Sequence, residues 1–151
     1  MFIYIGADHR GWQMKEFLKN VLVQQGYQPQ DVGNKIIDEN DDYTDFAAPA
    51  AKMVSASLQG EAKAVLICGS GAGMVVTANK FNGARAALGF STDQVFDARR
   101  DDDINILVLA ANFTSMEEAQ KIVKVFIETP FSGEEKYRRR IEKIGEIELA
   151  N

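Results

Sequence analysis

At 151 residues, with 46% apolar and 26% charged side chains, the chain has the make-up of one soluble globular domain long enough to bury a substantial core. A net charge of −5 argues against nucleic acid or an anionic membrane as a main partner, although a local basic patch can still hold a phosphate. A single cysteine excludes an internal disulfide, no apolar run approaches the ~20 residues of a membrane span, and the start Met-Phe-Ile-Tyr-Ile-Gly lacks the features of a signal peptide, so a cytoplasmic protein is expected.

Phe2 to Gly6 reads as a short buried strand, followed by a turn at Asp8-His9-Arg10-Gly11. Met14, Phe17, Leu18, Val21 and Leu22 have helical spacing, predicting a helix from Trp12 to Gln25 that Gly26 ends. A second strand is expected over Tyr27 to Val32 and a polar connection from Gly33 to Thr44. An alanine-rich helix follows from Phe46 to Leu58, with Pro49 tolerable in its first turn. Ala64 to Ile67 reads as a third strand, Met74 to Phe81 as a helix, and Ala84 to Gly89 as a fourth strand. Thr92 to Arg100 is helical, Ile104 to Ala110 is a fifth strand, and Ser115 with Glu117 and Glu118 opens a helix that runs to about Glu128. From Gly133 a charged amphipathic helix continues to the end, its apolar stripe of Ile141, Ile144 and Ile147 suiting either the domain's own core or an interface.

Strands alternating with helices predict a parallel sheet covered on both faces, in a single domain over 1–151 with 133–151 as a helical arm. Ligands of such sheets sit beyond the C-terminal ends of the strands. The residues after the first strand, Cys68 to Gly73 and the region after Gly89 belong there, and the acidic run Asp101-Asp102-Asp103 is expected near the same edge.

The most informative stretch is Ala64-Val65-Leu66-Ile67-Cys68-Gly69-Ser70-Gly71-Ala72-Gly73-Met74, an apolar run that ends in the one cysteine and a glycine-rich turn. It does not fit the dinucleotide fingerprint, because Met74 and Val76 stand where glycine would be required, nor a P-loop, because no Gly-Lys-Ser/Thr follows. What remains is a nest of backbone N–H groups for an anion or a developing oxyanion, or else a tight turn that needs glycine for steric reasons. A thiol there can have a lowered pKa that frees its thiolate near neutral pH, although a lone cysteine ending a buried strand is more often inert packing. His9, the only histidine, can donate to a phosphate or move a proton, or can merely shape its turn; a two-histidine zinc site is excluded.

Gly6-Ala7-Asp8-His9-Arg10-Gly11, Asp42-Tyr43, Cys68 to Met74 and Ala78-Asn79-Lys80-Phe81-Asn82-Gly83-Ala84-Arg85-Ala86, in this order, resemble the ribose-5-phosphate isomerase B family, which includes galactose-6-phosphate isomerase subunits. The resemblance implies a Rossmann-like three-layer α/β sandwich with a five-stranded parallel sheet, whose C-terminal helix packs on a dimer partner so that each site draws on both subunits. A tetramer is left open. It implies aldose–ketose interconversion of a sugar phosphate through a cis-enediolate, with no metal or cofactor. By the same resemblance Cys68 is the base, Ser70 shuttles protons between oxygens, and the N–H groups of Gly69, Gly71, Ala72 and Gly73 hold the enediolate. Asp8 binds sugar hydroxyls, His9 the phosphate end, Asn79 shapes the pocket and Tyr43 lines it.

Three departures from the family pattern stand out. Asp101-Asp102-Asp103 replaces His-Asn-Asp, whose histidine helps open the sugar ring; Asn112 replaces a phosphate-binding arginine; and Lys136 replaces the first of two arginines of the C-terminal helix, Arg140 being kept. Asp101 can open a ring only if neighbouring carboxylates raise its pKa. Arg10 and Lys136 are left to supply phosphate-binding charge, although lysine lacks the bidentate fork. The alternatives are a tetrose phosphate that needs no ring opening, an unphosphorylated sugar, or a binding protein without catalysis.

Overall fold

The computed structural model describes residues 1–57 and 61–151. The order is β1 (Phe2–Ala7), α1 (Trp12–Gln24), β2 (Gln30–Asp31), α2 (Thr44–Ser55), β3 (Ala62–Cys68), α3 (Ala72–Ala78), β4 (Ala86–Leu88), α4 (Thr92–Asp102), β5 (Ile106–Ala110), α5 (Met116–Glu128) and α6 (Glu135–Ala150). The strands form one parallel sheet in the order β2-β1-β3-β5-β4.

Strand β3 shows why the sheet is a sandwich centre. It is buried along its whole length, and its side chains alternate between two cores. Val65 and Ile67 join Ile5, Leu18, Leu22, Leu107, Leu109 and Phe126 under α1 and α5. Ala64, Leu66 and Cys68 join Phe46, Ala50, Met74, Ile106 and Val108 under α2 and α3. The period of two therefore places the Cys68 thiol on the α2/α3 side.

Several boundaries differ from the sequence reading. β2 shrinks to two residues, because Pro29 has no N–H for a ladder and the Tyr27 N–H turns back to Leu22 O at 3.0 Å to close α1. α2 begins at Thr44, which puts Pro49 in the second turn rather than the first; Leu58, the expected end, lies outside the described residues. α3 starts at Ala72 because Gly71, at φ +80°, makes the turn that lets the Val75 N–H reach Gly71 O at 3.1 Å. β4 keeps only the residues that pair with β5.

The acidic run is the main correction. Asp101 and Asp102 end α4, and Asp103 sits at φ +46° just before β5. A residue that immediately precedes a parallel strand lies at its N-terminal end, so the run is at the opposite edge of the sheet from Cys68. The apolar stripe of α6 is also not core: Ile144 and Ile147 are exposed within the chain, and Tyr137 is the helix's buried residue. Among the described residues no helix is long and apolar enough to cross a membrane.

Candidate active site

β2 lies on one side of β1 and β3 on the other, so the chain reverses direction across the sheet between β1 and β3. Loops leaving adjacent strands there diverge to opposite faces and open a crevice. It is a cleft of about 300 Å³ lined by Asp8, His9, Arg10, Asp41, Tyr43, Cys68, Gly69, Ser70 and Gly73. A larger groove, of about 630 Å³, lies between α4 and α5 around Phe96 and Val125, but it holds none of the groups considered above.

Asp8 and His9 follow β1 directly. The Asp8 Oδ1 accepts from the N–H groups of Arg10 at 3.0 Å and Gly11 at 3.1 Å, which folds the turn and opens α1. Burial pushes the Asp8 carboxyl up, and the turn's N–H groups and His9 offset this only in part. The His9 Nδ1 lies 2.7 Å from Asp41 Oδ1, which also accepts the His9 backbone N–H at 3.0 Å. That bond to Asp41 pushes the imidazole pKa above its ordinary value.

The loop that carries Asp41 is bolted to α1. Asn34 Nδ2 donates to Asp41 Oδ2 at 3.1 Å, and Asn34 O accepts from Trp12 Nε1 at 3.1 Å and Lys15 Nζ at 2.9 Å. Lys15 is fully buried, and both it and Lys19 donate to Asp31 Oδ2 at 2.6 Å. Burial alone would raise the Asp31 carboxyl, but the two ammonium groups outweigh it and hold it below the usual range. A buried lysine is tolerable only with such partners.

Cys68 ends β3, buried, with its Sγ accepting the Gly71 N–H at 3.2 Å. Burial pushes the thiol up; the N–H groups of Gly71, Met74 and Ser70 pull it down and the Asp8 charge pushes it up again, leaving it above its ordinary value. The turn therefore does not lower it: desolvation of the thiolate exceeds the help from the turn. Ser70 is exposed, its Oγ 3.4 Å from the Ala72 N–H. Gly71 and Ala72 close the turn behind the lining residues. A Cβ on Gly69 would lie 2.7 Å from Arg10 Cδ and 3.0 Å from Asn112 Nδ2, so Arg10 and Asn112 both flank the turn.

The remaining candidates lie elsewhere on the chain. Asn79 does not line the cleft; its amide is held by β4, with Nδ2 donating to Ala86 O and Oδ1 accepting the Ala86 N–H, each at 2.9 Å. Asp101, Lys136 and Arg140 gather around Tyr137 at the opposite edge of the sheet. Lys136 Nζ is 4.6 Å and the Arg140 guanidinium 5.5 Å from the centre of the Tyr137 ring. Asp101 accepts from Arg100 at 2.7 and 3.1 Å, and this pairing holds its carboxyl below the usual range. The neighbouring carboxylates therefore do not raise it, as a ring-opening acid would require. Asp102 is exposed beside it.

Sequence reasoning missed Asp41, whose loop reads as polar and solvated. Asp103 reads in the sequence only as part of the acidic run, whereas it bridges Arg85 Nη2 at 2.8 Å and the buried Arg99 Nη1 at 2.7 Å. The one available signal for Asp41 was a lone histidine in need of an acceptor.

Fold and cleft together define a Rossmann-like α/β domain whose switch point brings a thiol, a histidine, two carboxyl groups and a turn rich in backbone N–H groups to one small crevice. A family model described as Ribose/Galactose Isomerase matches residues 3–144, and the chain belongs to that family. It is 34% identical over 148 residues to the ribose-5-phosphate isomerase B of Mycolicibacterium paratuberculosis, covering 98% of this chain and 92% of the relative. It is 37% identical over 142 residues to the probable ribose-5-phosphate isomerase B of Mycoplasma genitalium, covering 94% and 92%. The crystal structure of ribose-5-phosphate isomerase B from Mycoplasma genitalium with bound ribulose-5-phosphate is similar at a TM-score of 0.94 and 36% identity, over 99% of this chain and 97% of that one.

Proposed function

We propose that the protein is an aldose–ketose isomerase of sugar phosphates, with ribose 5-phosphate and ribulose 5-phosphate as its default pair. The observation that carries this reading is the Cys68 thiol at the end of β3, under the N–H groups of its turn and across the crevice from Asp8 and His9. The names of the relatives point the same way.

In the proposed reaction the Cys68 thiolate takes the proton from C2 of the open-chain aldose. The C–H electron pair becomes the C1–C2 double bond, and the carbonyl pair moves onto O1. The N–H groups of Gly69, Ala72 and Gly73 hold the resulting enediolate, whose charge appears only as the reaction proceeds, while that of Gly71, the fourth expected donor, is given to the Cys68 Sγ. Ser70 carries the O2 proton to O1, C2 becomes the carbonyl, and the Cys68 thiol returns its proton to C1. Asp8 holds sugar hydroxyls, His9 and Arg10 the phosphate end, and Tyr43 the wall. Asn79 acts indirectly, by fixing β4 against α3. The scheme calls on no cofactor or metal.

A homodimer completes the site in this reading: the partner's Asp101, Asp102, Lys136 and Arg140 approach the crevice, and the exposed Ile144 and Ile147 give α6 an apolar face to dock with. The single reduced thiol fits a cytoplasmic enzyme. One observation favours a second substrate reading. Asp101 is held as a carboxylate by Arg100, so it cannot donate a proton to a ring oxygen, which suits a substrate that arrives in open-chain form, such as a tetrose phosphate.

The test is an isomerase assay over ribose 5-phosphate, tetrose phosphates, hexose 6-phosphates and free pentoses, with Cys68→Ala beside the wild type. Absence of turnover on all of them sinks the enzyme reading, and a profile confined to tetrose phosphates selects the second substrate class.

A further inference from the structure

The least expected contact in the crevice is the double hold of one carboxylate oxygen on one histidine. Asp41 Oδ1 accepts both the backbone N–H and the Nδ1 of His9, while Asp41 Oδ2 is fixed by Asn34. The Asp41 side chain is almost fully buried, at 6% exposure, although it comes from a polar loop 32 residues along the chain. Asn34 is in turn bound through its carbonyl to Trp12 and Lys15 of α1. The ring is therefore held to rigid structure at its base. Its Nε2 has no protein partner among the described residues.

We propose that Asp41 is the positioning residue of His9: it fixes the imidazole with Nδ1–H bonded into the loop and Nε2 presented to the crevice for the anionic end of the substrate. The identity of that anion as a sugar phosphate rests on the isomerase reading; the positioning does not.

The geometry has a chemical consequence. A carboxylate at Nδ1 requires a proton on Nδ1. In the neutral ring Nε2 is then a bare acceptor that repels a phosphate oxygen. Only the imidazolium carries protons on both nitrogens, so anion binding at Nε2 and protonation of His9 are one linked equilibrium. Asp41 and Asp8 favour the cation. Arg10 opposes it, and Tyr43 and Cys68 are the other titratable groups that line the crevice. With Asn112 in place of an arginine, this cation is one of few available to the anion within the chain's own crevice.

Because His9 is the only histidine, ring ¹H–¹⁵N correlation spectra report on it without ambiguity. The wild type is expected to show the Nδ1–H tautomer above the His9 midpoint, and addition of inorganic phosphate is expected to raise that midpoint. In Asp41→Asn the midpoint falls and the tautomer preference is lost, whereas Asp41→Glu recovers part of the midpoint. At pH 7.5, Asp41→Asn weakens inorganic phosphate binding about tenfold and raises KM for the turned-over sugar phosphate by a similar factor, with kcat changed less than about twofold. An Nε2–H tautomer in the wild type overturns the proposal even if no variant folds, and so does an unchanged midpoint in folded Asp41→Asn. Absent turnover beside a normal His9 titration removes the isomerase reading and leaves the positioning intact.

Discussion

The phenol end of the Tyr43 ring lies against Gly73: a Cβ at Gly73 would come within 2.5 Å of Tyr43 Cζ. Tyr43 caps α2 and Gly73 lies in the first turn of α3, so this contact joins the crevice wall to the turn that carries the N–H donors. Gly73→Ala must push the ring away. The expected cost is about 1–3 kcal/mol of stability, together with a fall in kcat/KM. Tyr43→Ala relieves the clash, so the double variant should lose less stability than the two single losses summed, read by urea unfolding. Strict additivity would show that the ring yields freely.

Removal of the Cys68 sulfur should lower kcat by roughly 10²–10⁴-fold with little change in KM, the scale of one proton-transfer group. Because burial lifts the thiol above its ordinary pKa, iodoacetamide should modify Cys68 slowly at pH 7 and faster as pH rises. Mass spectrometry reads this directly, since the chain has no other cysteine. Fast alkylation at neutral pH would contradict the burial argument.

The proposed sharing of the site between subunits can be checked by complementation. Cys68→Ala and Arg140→Ala homodimers should each be impaired. Unfolding and refolding them together makes mixed dimers with one intact crevice of two, and about a quarter of wild-type activity should return if subunits pair at random. No recovery would mean that Cys68 and Arg140 do not meet across an interface.

Lys63, buried at the start of β3, donates to Phe126 O at 3.2 Å and Ile127 O at 3.1 Å, capping the C-terminal end of α5. Burial and the nearby Arg99 guanidinium push its pKa down to about 8. The folded state then binds fewer protons than the unfolded one between that value and the ordinary lysine range. Stability from this group is therefore gained as pH rises through that window. Wild type should gain on Lys63→Met by up to roughly 3 kcal/mol between pH 7 and 10, measured by urea unfolding of both proteins. The titration of Cys68 is common to both and cancels in the difference. A gap that does not change with pH would show that Lys63 stays charged at no cost.

Local pattern carried much of the architecture. The alternation of short apolar runs with helical spacing was legible because parallel strands and amphipathic helices leave their periods in the chain. The turn after Cys68 and the pair Asp8-His9 were legible as chemistry, because a strand followed by a helix has its ligand edge at the strand's C-terminal end. Length of pairing was less legible: β2 contracts to Gln30–Asp31 because the hydrogen bonds of its flanks are decided by Pro29 and by the end of α1.

Long-range electrostatics left no such trace. Asp41 looks like one more acid in a polar loop, and only folding brings it 2.7 Å from His9. Asp101 looks like a neighbour of the crevice until the path of α4 carries it to the far edge and into the grip of Arg100. By itself the sequence determined the sheet, the thiol at the end of β3 and the turn of N–H donors, since each follows from neighbours within a few residues. The tertiary structure alone decided which charges face one another, and therefore which groups are held protonated, because Coulomb energies and burial depend on distances between residues far apart in the chain.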